Sequence, residues 1–565
     1  MFFKEASEAL IYALETWGIR HIFGVTGGGV LEITKHLTSY QENLQSLSLF
    51  SIVEYAAGFA PIGHYLNNGQ ISACLSVPGA ATKLVSCGLS DAKILRIPAL
   101  YLISLNHSEA ENHTPLQDVG PYGMNITAQL ESEFAEDVVY IQNLDHFDIY
   151  LAKTARILAD HRPVILLFHP NILKKSVKIN NIPKITGRRK PDIVNFKPLL
   201  NSISIAIANK KQIYLYVCSE AGFDKTNYKV IRALQVKLNA RVLCTVNGSN
   251  ACVDLPNFYG HVGIGGHDEI NDYWRNLGEN DLLIALGMEA GDYHFFKKKS
   301  KVSEAWIFTN QSNGYGFINE SYQHRFENRC HLIHGKIHDN LNALLQHVIP
   351  KHCDSQLPAL KTINTQTVSN NKVDLHAFYT HLKSYWQHST ICFDDACCAY
   401  RDRQFIMTHP ISNVRFFTSQ DSSAMGGAFG FVVGAKIANP KEHCFTFIGD
   451  GCWRLIAGAF PEAANIGIVV FVFNNQNYGV VEDVLTKVYP GLDQKHHHTQ
   501  LNQVDFVGAA KACGWDAEKL KPNLSNLKQI MEKAYNTEKS FLIEIPCEPY
   551  QNLGFNPRIN VLNYT

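Results

Sequence analysis

Apolar residues along this chain fall in short runs separated by longer stretches with helical spacing. In the first third, His21 to Val25, Ile71 to Val77, Ala99 to Ser104 and Pro163 to Phe168 read as buried strands. Val30 to Leu37 reads as a helix after the turn Thr26-Gly27-Gly28-Gly29. The middle section repeats the pattern with Ile213 to Val217, Arg241 to Val246, Asp281 to Gly287, Trp306 to Thr309 and His331 to His334. Such alternation predicts parallel sheets with helices on both faces. No short period recurs, which excludes a solenoid.

Two breaks divide the chain. Lys178 through Pro183 to Pro191 is polar and proline-bearing, and Pro350 to Asn371 is rich in Gln, Asn, Ser and Thr. At roughly 150 residues per domain, 565 residues predict three or four units. The expected fold class is α/β, with three doubly wound parallel-sheet domains over residues 1–177, 192–350 and 372–550.

Composition narrows the partners. The 51 basic residues balance 51 acidic ones, so no basic excess points to nucleic acid. Apolar runs such as Ile466 to Phe473 fall far short of the ~18 residues that span a bilayer. Lys4, Glu5 and Glu8 interrupt any secretory core at the start. A cytoplasmic protein without a membrane partner is expected. The 14 cysteines show no paired CxxC spacing, and the adjacent Cys397 and Cys398 suit neither a disulfide framework nor a zinc knuckle. Reduced, mostly buried thiols follow.

The chemistry concentrates near the end. His443 to Gly451 reads as a strand closing in Gly449-Asp450-Gly451, and 22 residues later Ile468 to Phe473 closes in Asn474-Asn475. Trp453 to Asn465 between them is expected to be helical, with Leu455, Ile456 and Ala459 on one side. A right-handed βαβ unit puts both strand ends on one edge of the sheet, where ligands bind in open α/β folds. A carboxylate, an amide oxygen and nearby carbonyls are hard ligands for Mg²⁺ or Ca²⁺, completed by phosphate oxygens. The glycines would let the backbone approach a diphosphate.

This pattern resembles the cofactor motif of thiamine diphosphate-dependent enzymes. Ser422 to Gly427, Gly434 to Pro440, Val53 to Ala57 and Ser76 to Ala80 resemble further landmarks of that family, and Thr245 to Gly287 resembles its central domain. The acetolactate synthase and 2-oxoacid decarboxylase branch is the most similar. The resemblance implies thiamine diphosphate and Mg²⁺ as cofactors. Asp450, the Asn475 side chain and the Asn477 backbone carbonyl would hold the metal, beside Gly449 and Gly451. Met425 would wedge beneath the cofactor, and the Ser423 carbonyl would accept from its amino group. Glu54 would hydrogen-bond the aminopyrimidine. Ala57, Gly58 and Pro61 follow Glu54 on one helix face, an apolar setting in which a carboxyl shares a proton. Pairing of domains between subunits implies a homodimer or homotetramer.

Three departures bear on the substrate. Pyruvate decarboxylases carry an aspartate where Gly28 aligns and a His-His pair where Asn112-His113 stands. Their glutamate after the Asn-Asn strand falls at Val481, and Glu482 would point elsewhere. Tyr478-Gly-Val-Val481 is more similar to the synthase wall that receives a second carbonyl compound, and Gln117 matches a glutamine of the synthases. The expected activity is a carboligase or lyase that decarboxylates a 2-oxoacid such as pyruvate and adds the fragment to a carbonyl acceptor. A non-oxidative decarboxylase and a non-catalytic cofactor-binding homologue are the alternatives. Three features carry no site on this reading: His496-His497-His498 as a loop, the incomplete glycine pattern Gly263 to Gly266, and Asp394-Asp395 as a solvated strand end.

Overall fold

The computed structural model describes residues 1–40, 46–110, 113–185, 194–288, 299–311, 321–350, 357, 359–360, 368–418, 422–549, 551 and 553–554. Three parallel sheets follow one another along the chain. The first has seven strands in the order Thr38–Ser39, Ser48–Ser51, His21–Gly24, Ala73–Ser76, Leu100–Ser104, Val164–Phe168, Val138–Ile141. The second has six, running Phe258–His261, Arg241–Cys244, Gln212–Val217, Asp281–Leu286, Glu304–Thr309, Cys330–His334. The third runs Val414–Thr418, Thr390–Asp394, His443–Gly449, Ile468–Asn474, Phe541–Pro546, Asp516–Lys519. The chain is therefore α/β with three doubly wound parallel sheets. Phe2–Phe3 pairs antiparallel with Val177–Lys178 and ties the chain start to the end of the first unit.

Several expectations shift. The predicted Val30 to Leu37 helix is a 3₁₀ turn over Gly28–Val30 followed by a single turn, Leu31–Thr34. Ile179 and Ile182 are buried in the first core, so that unit's packing continues into the stretch read as a linker. Residues 186–193 of that stretch, and most of 351–367, lie outside the described residues. Trp453 to Asn465 is not one helix. Asp450–Ile456 is helical, Ala457–Ala459 is 3₁₀, and turns follow. Leu455 is 53% exposed, so it leaves the apolar face where it was expected beside Ile456.

The terminal units share one hydrophobic core. Its centre is the crossing of two helices, Glu54–Asn68 and Gly427–Ala438. Small residues make that crossing close. A Cβ at Gly63 would stand 1.8 Å from the Phe431 carbonyl oxygen, one at Gly434 1.8 Å from that of Ala60, and one at Gly430 2.6 Å from that of Ala56. No larger residue fits where two backbones approach this way. The helices run parallel, so their N-termini, carrying Glu54 and Met425-Gly426, meet at the same end.

Candidate functional site

The third sheet builds a cavity of about 250 Å³ at the carboxyl ends of its strands. Asp450 and Asn475 line it, as the strand–helix–strand spacing requires, and so do Asn477, Ser423, Met425, Gly449 and Gly451. Asp450 is 3% exposed. Its carboxylate accepts from the Gln476 N–H at 2.6 Å and the Gly451 N–H at 2.9 Å. Burial pushes it up to about 6, against the pull of those amides. Asn475 Oδ1 accepts from the Asn477 N–H at 2.9 Å, which folds the loop toward the cavity. The Asn474 amide points the other way, to Glu544 at 2.9 Å.

The donor set fits a hard divalent cation. The Asp450 carboxylate is buried, and among the described residues Asn477 Oδ1 is buried without a hydrogen-bond partner. A buried carboxylate beside an unsatisfied buried amide oxygen is a donor set that an ion at the cavity wall would satisfy. Gly451 also serves packing, because a Cβ there would stand 2.6 Å from the Tyr478 ring. Ser423 adopts φ +51°, a left-handed conformation that turns the chain into the cavity ahead of Met425. Cys397, Cys398, Cys452 and Cys547 also line the wall. Among the described residues all cysteines are free thiols and most are buried, and burial pushes Cys397 and Cys452 well up.

The candidate residues of the first unit follow the carboxyl ends of strands of its own sheet. Glu54 is the first residue of its helix and half-buried. His113 and Gln117 are exposed on the loop after Leu100–Ser104. Gln117 sits at φ +58°, held by Asn106, whose amide donates to the Leu116 and Gln117 carbonyls at 3.0 and 3.2 Å. Asn112 lies outside the described residues. Within one chain Glu54, His113 and Gln117 do not line the cavity of Asp450. The face below Glu54 is not free for a ligand, since a Cβ at Gly58 would stand 2.5 Å from the Val85 carbonyl. Its small residues admit the Ala80–Leu95 helix.

Gly28 has nothing within 4 Å of the place a Cβ would take, so packing does not forbid an aspartate there. Gly29 and Gly27 do face neighbours, at 2.6 Å from Pro78 and 2.8 Å from Val77. Val480 and Val481 line the cavity. Glu482 turns away, 2% exposed, with Oε1 2.8 Å from His497 Nδ1 and Oε2 accepting from Thr499 Oγ1. Of the three adjacent histidines, His497 is buried in that contact and His496 and His498 are exposed. Among the described residues no group of three or more His, Cys, Asp or Glu stands ready for a metal.

Sequence reasoning missed three groups. Asp394 and Asp395 are not a solvated strand end. Asp394 is fully buried against Arg403 at 2.5 Å. Asp395 is 2% exposed, bound by the Ala396 and Gly426 amides, and pushed up to about 7 by burial. Arg401 lines the cavity between Asp402 and Asp483, each at 3.1 Å. Gly263 to Gly266 serve packing, since a Cβ at Gly265 would stand 2.7 Å from the Arg401 carbonyl. That approach also brings Ile264 of the middle unit into the cavity wall. Only the chain-distant burial of these groups marks them, and no local pattern could have.

The chain combines a cavity holding Asp450, Asn475 and Asn477 at the strand ends of one α/β unit with a second α/β unit carrying a helix-terminal glutamate. Residues 4–126 match the thiamine pyrophosphate enzyme N-terminal TPP binding domain, and residues 403–545 match its C-terminal TPP binding domain. The chain thus carries both domains of the thiamine pyrophosphate (diphosphate) enzymes. It is 24% identical to the acetolactate synthase large subunit of Pyropia yezoensis, over 98% of this chain and 94% of that protein. It is 23% identical to the acetolactate synthase large subunit of Cyanidium caldarium, over 96% and 93%. The fold matches the thiamine diphosphate-dependent 4-hydroxybenzoylformate decarboxylase of Rhodococcus jostii RHA1 with a TM-score of 0.77, at 14% identity, covering 96% of this chain and 99% of that one. Among the described residues no helix is long and apolar enough to cross a membrane.

Proposed function

We propose that the protein is a thiamine diphosphate- and Mg²⁺-dependent carboligase that takes a 2-oxoacid such as pyruvate and joins its decarboxylated fragment to a second carbonyl compound. Bound thiamine diphosphate supplies the electron sink for such decarboxylation and carries the fragment. Asp450, Asn475 and Asn477 would hold Mg²⁺, and Glu54 would hold a proton at the aminopyrimidine of the cofactor. Met425 orients, and the apolar wall excludes water that would otherwise intercept the fragment.

The observation that carries the reading is the Val480–Val481 wall with Glu482 turned away into His497 and Thr499. A valine where a glutamate would stand favours capture by a carbonyl acceptor over protonation, and the names of the acetolactate synthase relatives agree with it. We also propose that each active site combines Glu54 of one chain with Asp450 of another, in a homodimer or homotetramer. Glu54 is not among the residues lining the Asp450 cavity of its own chain, which supports that arrangement.

Proton NMR of pyruvate with the protein, Mg²⁺ and thiamine diphosphate, with and without a panel of aldehydes, tests the reaction. Acetolactate or a mixed hydroxyketone is expected. Acetaldehyde as sole product would replace the proposal with a simple 2-oxoacid decarboxylase. No turnover of any 2-oxoacid offered, with the cofactor bound, would leave a non-catalytic binding protein.

A further inference from the structure

The peptide group joining Met425 to Gly426 is gripped from two domains at once. Its carbonyl accepts a hydrogen bond from the Tyr55 hydroxyl at 2.5 Å. Its N–H donates to both carboxylate oxygens of Asp395, at 3.0 and 2.8 Å. Tyr55 directly follows Glu54 at the start of its helix, whereas Asp395 follows the Thr390–Asp394 strand of the third sheet.

The two grips hold opposite ends of one planar unit. Together they fix its rotation, and that rotation sets the direction in which the Met425 side chain leaves the backbone. The surroundings leave little freedom. Gly426 sits at φ +83°, and a Cβ there would stand 2.8 Å from Ile456 and 3.5 Å from the Tyr55 ring. Asp395 is further bound by the Ala396 N–H at 2.8 Å. A buried carboxylate is unfavourable unless its oxygens are bonded, and here they are bonded to the turn that carries Met425. Neither Tyr55 nor Asp395 lines the cavity, whereas Met425 does.

We propose that Tyr55 and Asp395 are positioning residues that hold the Met425 side chain at one angle in the cavity, where it supports a bound cofactor. The proposal rests on the cofactor reading above. Its physical core, a clamped Met425, is measurable without cofactor.

The test labels the methionine methyl groups with carbon-13 in the full-length protein and assigns the Met425 resonance with Met425→Leu. The other five of the six methionines report on the rest of the fold. Without cofactor, Tyr55→Phe and Asp395→Asn are each expected to shift or split the Met425 resonance and to leave the others in place. With Mg²⁺ and thiamine diphosphate, each is expected to lower kcat about tenfold, and to lower it no further in a Met425→Ala background. A Met425 resonance unmoved by Tyr55→Phe would overturn the proposal, as would kcat losses that multiply with that of Met425→Ala. If Tyr55→Phe moves all six resonances, Asp395→Asn decides by the same criteria. Should the wild type fail to bind thiamine diphosphate, the functional reading falls, and the cofactor-free resonances still decide the clamp.

Discussion

The side-chain amide of Asn247 pairs with both backbone groups of Thr418, donating to its carbonyl at 3.0 Å and accepting from its N–H at 2.8 Å. Asn250 does the same to Phe416, at 2.8 and 2.9 Å. Val414–Thr418 is an edge strand of the third sheet, and residues 416 and 418 present their outward backbone groups on the same side. Two asparagines of the middle unit thus stand where another strand would pair. They dock that unit and cover an edge that would otherwise invite association.

Replacing both, Asn247→Ala with Asn250→Ala, leaves the outward groups of Phe416 and Thr418 without partners. At about 1–3 kcal/mol for a buried unsatisfied group, the thermal midpoint is expected to fall by several degrees and light scattering to begin at lower temperature. An unchanged midpoint would show that water replaces the amides without cost.

Asp450→Asn removes the carboxylate from the proposed ligand set and leaves a side chain of the same shape. Titration calorimetry in Mg²⁺ is expected to show thiamine diphosphate binding at least ~100-fold weaker, with the fold intact by circular dichroism. Chelating the divalent cation from the wild type should have the same effect. Ordinary affinity in either case would remove Asp450 from the metal site.

The positions of Asp450, Asn475 and the surrounding glycines were legible because a βαβ unit converts chain spacing into spatial adjacency. The same logic located nine strands of the first two sheets. It missed four: Phe258–His261, whose Phe-Tyr-Gly-His run carries no extended apolar pattern, Ser48–Ser51, where serines bracket Leu49-Phe50, the two-residue Thr38–Ser39, and the short Val138–Ile141. Asp395 was illegible for a different reason. Its partner Gly426 lies 31 positions away, and nothing beside Asp395 in the chain distinguishes a carboxylate buried under a helix terminus from one in solvent. The pairs Asn247–Thr418 and Tyr55–Met425, separated by 171 and 370 positions, belong to the same class.

His21 and His64 give the first unit an acid-sensitive core. His64 Nδ1 lies 3.0 Å from the Gln70 carbonyl, and its Nε2 lies 2.9 Å from His21 Nδ1. With His64 Nδ1 donating to that carbonyl, its Nε2 accepts from His21, so both rings are neutral. Burial lowers His21 to about 4, helped by Arg20, and His64 to about 3, helped by His21. Both values lie below the unfolded value near 6.5. Their contribution to stability is therefore complete above pH 6.5 and is lost as pH falls toward 3–4. Between pH 7.5 and 5 the loss is on the order of 3–4 kcal/mol. His64→Gln is expected to flatten the thermal midpoint across that window, and an equally steep profile in the variant would place the acid sensitivity elsewhere.

Val481 is half exposed in the cavity wall, and Gly28 has open space around its missing side chain. Val481→Glu and Gly28→Asp would each add a proton-sharing carboxyl without displacing a packed neighbour. In combination they are expected to raise the ratio of released aldehyde to coupled product about tenfold, read by proton NMR. An unchanged ratio would mean that the wall does not set the fate of the fragment.

Glu54 does not line the Asp450 cavity of its own chain, and this permits a decisive mixing experiment. Glu54→Gln alone is expected to keep cofactor binding and lose at least ~100-fold in turnover. Asp450→Asn alone is expected to lose both. If each active site takes Glu54 from one subunit and Asp450 from another, a hybrid of the two variants contains one site with neither residue altered. Random exchange of subunits would then restore about one quarter of wild-type activity, since half the dimers are hybrids and half their sites are intact. If instead both residues served a site within their own chain, every site in the hybrid would carry one defect and the mixture would stay as inactive as its parents. Activity that rises on mixing, measured after subunit exchange under mild denaturant and refolding, is the expected result.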